Sequence, residues 1–303
     1  MAMNAKRLAL GVGTCVVLLI TSCNTDPDVP DQYQRHLDEI AAIDAELAVR
    51  GGAILRDPSG VRMIITQLGD KLPAQETNKI DVDYVGKRFS DKFEFDRGTA
   101  SLTLSSYIAG WRIALSKLPA GSIATIIIPS GYGYGATAQG TDIPANSILE
   151  FDVQFHEAIP TTAEVQKLAS DTVAIDQYLA SKSITAVKDT TGIRYVISQE
   201  GSGPIPSWFT RLTLKYNIKL LTDDTREIVA IEREPNDDFY SRPVDYIHGL
   251  KIGLQKLRVG SKAVFYVPSG HAFGTAGASD PSSGASIPAN ANLIIEVELI
   301  NAE

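Results

Sequence analysis

The sequence predicts an α+β protein in which one unit occurs twice in tandem, and three observations carry that expectation. First, Gly110-Trp111-Arg112-Ile113-Ala114-Leu115-Ser116-Lys117-Leu118 returns as Gly249-Leu250-Lys251-Ile252-Gly253-Leu254-Gln255-Lys256-Leu257. Pro129-Ser130-Gly131-Tyr132 returns as Pro268-Ser269-Gly270-His271, Ile143-Pro144-Ala145-Asn146 as Ile287-Pro288-Ala289-Asn290, and Pro58-Ser59-Gly60-Val61-Arg62 as Thr190-Thr191-Gly192-Ile193-Arg194. Second, short apolar runs separated by turn residues fill most of each copy, the pattern of strands. Third, one short helical pattern interrupts those runs. The repeat also lets each residue be weighed by whether its counterpart kept it.

Taken in order, residues 1–22 read as a lipoprotein signal peptide. Lys6 and Arg7 form a basic start, and Leu8 to Ile20 is an apolar stretch too short for a bilayer, which needs about 20 residues. Ile20-Thr21-Ser22-Cys23 is similar to the bacterial lipobox, where the signal is cut before the cysteine and that cysteine takes the lipid. Of the two cysteines, Cys15 leaves with the signal, so Cys23 becomes the single thiol and no internal disulfide can form. The expected address is the bacterial cell envelope, on a lipid anchor. Asn24 stands after Cys23 instead of the Asp that holds many lipoproteins at the inner membrane, which favours the outer membrane, at its periplasmic or surface face. Residues 23–32 are polar and proline-broken and read as a tether. Loss of Lys6 and Arg7 takes the formal net charge from −8 to −10, because residues 1–22 hold no acid. Such a chain is unsuited to nucleic acid or to electrostatic docking on anionic lipid, so its membrane contact would be lipidated Cys23.

Two domains follow, residues 33–160 and 161–303. Each opens on a helical pattern, Leu37, Ile40, Ile43 and Leu47 in the first, and Val165, Leu168, Val173, Ile175 and Leu179 in the second. Periodicity leaves open whether each helix packs on its own domain or forms a partner surface. Val61–Leu68, Ile80–Val85, Ile123–Ile128 and Ile148–Phe155 then read as strands, and so do Ile193–Gln199, Arg211–Leu220, Ala263–Val267 and Leu293–Leu299. The one internal helix reads as Trp111–Leu118, with Trp111, Leu115 and Leu118 on one face and Gly121 beyond its end.

Several chemistries are excluded. The four histidines, His36, His156, His248 and His271, lack metal-ligand spacing, and no Walker loop or Gly-x-Ser-x-Gly elbow occurs. Gly131-Tyr132-Gly133-Tyr134-Gly135 has the glycine spacing of a nucleotide loop, but no helix start with free N–H groups follows it. No cofactor and no metal is expected.

The first unit instead concentrates aromatic residues at strand ends and turns: Tyr84, Phe95, Trp111, Tyr134 and Phe151, with Asp96 beside Phe95. Over Gly60 to Phe155 it carries Val82-Asp83-Tyr84-Val85-Gly86, Phe95-Asp96, Ile108-Ala109-Gly110-Trp111, Tyr132-Gly133-Tyr134-Gly135-Ala136, Ile143-Pro144 and Phe151-Asp152-Val153. In order and spacing these motifs resemble the FKBP-type peptidyl-prolyl isomerases. The resemblance implies two FKBP-like domains, each a twisted antiparallel half-barrel sheet wrapped on a short helix and each preceded by a helix. It implies a pocket with Trp111 as floor and Tyr84, Phe95 and Phe151 as walls. The Ile108 N–H and the Tyr134 hydroxyl would donate to ligand carbonyls, Asp96 would set a carboxylate at the edge, and Ile143 would belong to the same site, the alternative being that Ile143-Pro144 only shapes a loop. Proline-containing polypeptides are the implied partners, and macrolide-type inhibitors the implied blockers of the first domain. Ala100 departs from the pattern, standing where many members carry a further pocket aromatic.

Such residues suit the reaction. Amide rotation faces a barrier of roughly 18–20 kcal/mol, and X–Pro isomers within about 1 kcal/mol of each other still exchange over tens to hundreds of seconds. A catalyst needs no nucleophile; it must seat the proline ring in an apolar slot and favour the twisted imide.

The second copy keeps the frame and loses the pocket. Tyr216 and Ile247 match Tyr84 and Ile108, but Leu250, Phe273 and Ile295 replace Trp111, Tyr134 and Phe151. No Phe-Asp pair occupies Thr225 to Ala230, and the loop from Ala276 to Ser286 is longer than its counterpart. The expected function is isomerisation of X–Pro bonds in exported proteins by the first domain, with the second binding clients or a partner. The competing expectation is a non-catalytic assembly lipoprotein in which both domains are scaffolds.

Overall fold

The computed structural model describes residues 28–50, 53–233, 242–279 and 285–303. The signal peptide, Cys23 and residues 280–284 of the long second-copy loop lie outside the described residues. The chain divides after Thr161 into two compact units.

The first unit runs α1 (Asp28–Arg50), β1 (Ala53–Arg56), β2 (Arg62–Gln67), β3 (Lys79–Arg88), β4 (Glu94–Ala100), α2 (Ala109–Leu115), β5 (Ile123–Ile128) and β6 (Leu149–Ile159). Its strands form one antiparallel sheet in the order β1-β2-β5-β6-β3-β4. Ile80, Val82, Ile126, Ile128, Val153 and Phe155 are buried, and Trp111, Ala114 and Leu115 of α2 are buried with them. Each such aliphatic side chain contributes about 1.5–3 kcal/mol of hydrophobic stabilisation. The other face of the sheet is covered by α1, whose Ile43 and Leu47 pack with Ile127 and Phe89. Ile126, Ile127 and Ile128 are thus all buried, which explains why β5 reads as an unbroken apolar run rather than an alternating one.

The second unit repeats the plan with α3 (Thr162–Ser181), β7 (Val187–Lys188), β8 (Arg194–Gln199), β9 (Leu212–Leu220), β10 (Asp223–Arg233), α4 (His248–Leu254), β11 (Lys262–Val267), β12 (Ala278–Ser279), β13 (Ser286–Ile287) and β14 (Leu293–Ala302). Its main sheet, β7-β8-β11-β14-β9-β10, has the topology of the first, and β12 and β13 form a separate hairpin. Helix α3 covers its own sheet through Ile175 and Leu179 against Tyr266 and Ile294. Each long helix therefore packs on its own unit.

Matching polar ties fix both helices. Asp44 holds Arg62 by two bonds of 2.9 Å, and Asp176 holds Arg194 at 2.9 and 3.3 Å. Glu39 accepts from Ser130, and Asp171 from Ser269. The buried helix faces are consequently not those of the apolar pattern alone. Glu39 and Asp171 are buried, whereas Leu37, Val165 and Val173 are exposed.

Several expectations need correction. The tether expected over residues 23–32 is already helical from Asp28; a proline in the first turn lacks only an N–H that no intrahelical acceptor would have met. Helix α2 begins two residues earlier than expected and ends at Leu115, though Lys117 and Leu118 still donate to the Ala114 carbonyl before Pro119 stops the winding. Strands β1, β4, β7 and β10 were not anticipated, whereas α4 is the short helix expected in the second copy. The edge strand β4 is almost wholly exposed and carries no apolar alternation, while α4 is buried on every described side from Gly249 to Leu254 and shows no polar face.

Candidate active site

The pocket elements meet between the concave face of the first sheet and α2. Strand β3 puts Tyr84 on that face and β6 puts Phe151 beside it, with Gly86 paired opposite Phe151. Trp111 enters from the first turn of α2 and is 3% exposed. Its ring meets Tyr84 edge-on at 5.3 Å and 88°, and Phe151 at 5.3 Å and 89°. Phe95, from edge strand β4, meets Phe151 edge-on at 5.8 Å. Edge-to-face contacts of this kind add about 0.5–1.5 kcal/mol each beyond area burial.

Asp96 joins the group through Tyr84, whose hydroxyl donates to its carboxylate at 2.7 Å. Burial first, and then that hydrogen bond, push the Tyr84 phenol up to about 12. The Tyr134 phenol is raised as well, by burial and then by the Asp96 charge. Tyr134 is 38% exposed, and no group among the described residues bonds its hydroxyl. The Ile108 N–H, at the mouth of α2, also lacks an acceptor among the described residues, while the Ile108 carbonyl accepts from Trp111 and Arg112. Two donors and one carboxylate therefore rim an aromatic slot. Ile143 lies apart from this hydrogen-bonded group, buried in the following loop by reciprocal backbone bonds with Gln139.

Two contributors escaped sequence reasoning. Tyr107 stacks on Trp111 at 5.2 Å and 18° and accepts the Leu102 N–H at 3.0 Å, which brings a ring close to the strand end where Ala100 lacks one. A Cβ on Gly86 would lie 2.7 Å from Phe95 and 2.9 Å from Phe151, so only glycine leaves both rings in place. Register identifies its counterpart: Tyr216 pairs with Val297 as Tyr84 does with Val153, which sets Ile218 at the place of Gly86.

In the second unit the same register sets Ile228-Val229 at the place of Phe95-Asp96. Ile218, Leu250 and Ile295 are all buried there, and among the described residues only Tyr216 and Tyr246 keep an edge-on aromatic pair, at 6.0 Å. His248 and His271 stack at 6.2 Å beside α4, and burial lowers both imidazoles. Among the described residues no cluster of three or more His, Cys, Asp or Glu could hold a metal ion.

A half-barrel sheet closed on one short helix over an aromatic slot defines a class of proline-recognising domain. The family model described as FKBP-type peptidyl-prolyl cis-trans isomerase matches residues 70–156 and 206–300, so the chain belongs to that family. It is 30% identical over 173 residues to the FKBP-type peptidyl-prolyl cis-trans isomerase FkpA of Aeromonas hydrophila, covering 56% of this chain and 61% of that protein. It is 29% identical over 100 residues to the outer membrane protein MIP of Legionella longbeachae, covering 32% of this chain and 43% of that protein. The crystal structure of FkpA from Escherichia coli aligns with a TM-score of 0.37 at 23% identity, covering 43% of this chain and 64% of that one. The chain thus spans less than two thirds of the length of these relatives.

Proposed function

We propose that the protein catalyses cis–trans isomerisation of X–Pro bonds in exported polypeptides, with the chemistry in the first unit. The observation that carries this reading is the ring set around Trp111, joined to Asp96 by the Tyr84 hydrogen bond and, among the described residues, present in one unit only. A proline ring enters the slot against Trp111 between Tyr84, Phe95 and Phe151. The Ile108 N–H and the Tyr134 hydroxyl take carbonyls of the substrate and orient it. Loss of conjugation leaves the imide nitrogen pyramidal and its carbonyl ketone-like, and an apolar slot stabilises that state over the planar, more polar one. Asp96 holds Tyr84 in place rather than exchanging protons, since the reaction moves none.

The second unit, with Ile218, Leu250 and Ile295 in the slot, serves client or partner binding. Macrolide-type inhibitors compete for the first slot. The chain is held in the bacterial envelope through lipidated Cys23, at the outer membrane. What supports this address is the lipobox-like Ile20-Thr21-Ser22-Cys23 and the envelope name of one relative. Among the described residues no helix is long and apolar enough to cross a membrane.

A proline-peptide isomerisation assay on the chain tests the reading. Acceleration that Trp111→Ala removes supports it. No acceleration by the folded chain hands the case to the non-catalytic scaffold.

A further inference from the structure

Helix α1 reaches both segments that carry the outer side chains of the pocket. In its N-terminal half, Glu39 is 8% exposed and accepts the Ser130 N–H at 2.8 Å and the Ser130 hydroxyl at 2.6 Å. One turn earlier Arg35 donates to Asn146 at 3.3 Å, and the His36 ring lies 5.8 Å from that of Tyr132. Ser130 and Asn146 bound the loop that holds Tyr134: the Gly135 N–H donates to the Ser130 carbonyl at 2.9 Å, and the Asn146 N–H to the Gly135 carbonyl at 2.7 Å. Ile40 packs into the Gly60 turn, where φ is +86° and a Cβ would lie 2.6 Å from the Ile40 side chain. At the other end of the helix, buried Glu150 accepts from Arg50 at 3.0 Å and from Lys92 at 2.7 Å, and Lys92 also reaches Glu46 at 2.9 Å. Lys92 lies in the turn that leads into Phe95 and Asp96.

We propose that α1 is a brace for both rims of the pocket, and that Glu39 is the positioning residue for Tyr134. The proposal rests on the isomerase reading of the slot. A buried carboxylate holding both donors of one serine fixes that serine closely, and its loss leaves both donors without an acceptor. The Tyr134 hydroxyl bonds to no described group, so the side chain's place is set by its loop, and the loop's place is set by Ser130. The Lys92–Glu150–Arg50 ties do the same for the turn before Phe95. The segment between the membrane anchor and the first sheet is therefore part of the pocket's frame.

The experiment uses the full chain labelled with 3-fluorotyrosine, its Tyr134 fluorine resonance assigned through Tyr134→Phe. Glu39→Ala should displace or broaden that resonance and raise KM for a proline peptide about tenfold with a smaller change in kcat. Glu39→Gln, which still offers an acceptor to Ser130, should restore most of both. If Glu39→Ala does not fold, Ser130→Ala, which removes only the 2.6 Å bond, replaces it in the same measurements. Asp44→Ala cuts the tie from α1 to Arg62 and should lower the melting temperature while leaving the Tyr134 resonance and KM in place. An unmoved resonance in the folded Glu39 or Ser130 variant, or an equal movement in Asp44→Ala, overturns the brace. A wild-type chain without isomerase activity overturns the isomerase reading instead, and the resonance still decides the brace.

Discussion

At the scale of the residue, the slot depends on what each position leaves room for. Trp111→Ala removes a ring that touches three others, so it should abolish most of the isomerisation and cost about 3–5 kcal/mol, with a denaturant midpoint separating the two effects. Gly86→Ile imports the residue of the second unit, and its side chain must displace Phe95 or Phe151. Activity should fall with the sheet intact by far-UV circular dichroism; a fully active Gly86→Ile would show that the Phe95 wall is dispensable. Tyr84 offers a spectroscopic test. Its phenol is held neutral to about 12, so its contribution to stability is complete below the unfolded value near 10 and is lost as pH rises towards 12. In an alkaline tyrosinate titration Asp96→Asn should bring the Tyr84 transition down, because the Asp96 carboxylate is among the groups that raise it. The rings and Asp96 were legible in the sequence because pocket residues of this family sit in short motifs. Gly86 and Tyr107 were not, since their role is spatial: one is an absence of atoms, the other a stack across a turn.

At the scale of the element, the central strands could be read and the edges could not. β5 buries an apolar run and β6 turns Leu149, Phe151, Val153 and Phe155 to the core by alternation, whereas β4 hydrogen-bonds only to β3 in the sheet and shows a charged sequence to solvent. The helices could be found from their period but not oriented by it, because a carboxylate occupies the buried face of each. Their acid sensitivity follows from the ion pairs. The Asp176 carboxyl is lowered to about 2, first by its hydrogen bond to Arg194, and Asp44 is lowered in the same way by Arg62. A depressed carboxyl stabilises the fold above its unfolded value and loses that contribution as pH falls through the folded one. Melting temperature should therefore drop between about pH 4 and pH 2, and Asp176→Asn should flatten the part of the drop owed to α3. An unchanged profile in that variant would show that the Asp176–Arg194 pair does not hold α3.

At the scale of the whole molecule, the duplication was plain from the sequence, while the depth of the second copy's change emerged only from register, which places Ile218 where Gly86 stands. Fragments 28–161 and 162–303 each retain their covering helix, and isomerase activity should reside in the first alone; activity from the second would refute the division of labour. In cells, Cys23→Ser should block incorporation of a labelled fatty acid, and equal labelling would remove the anchor. The shared helix ties have one more consequence, for synthesis. Since both helices offer an acid for a serine and an aspartate for an arginine, a nascent chain could dock either helix on either sheet. The ends of the helices tell the sheets apart. Glu150 of the first sheet needs Arg50, and its counterpart Ile294 is apolar; Tyr178 of α3 donates to Asp224, with Lys182 beside it. A helix on the wrong sheet would leave Glu150 to Lys92 alone, or set Arg50 over Ile294, and the pairing lost in that way sends the mispaired chain back to try again.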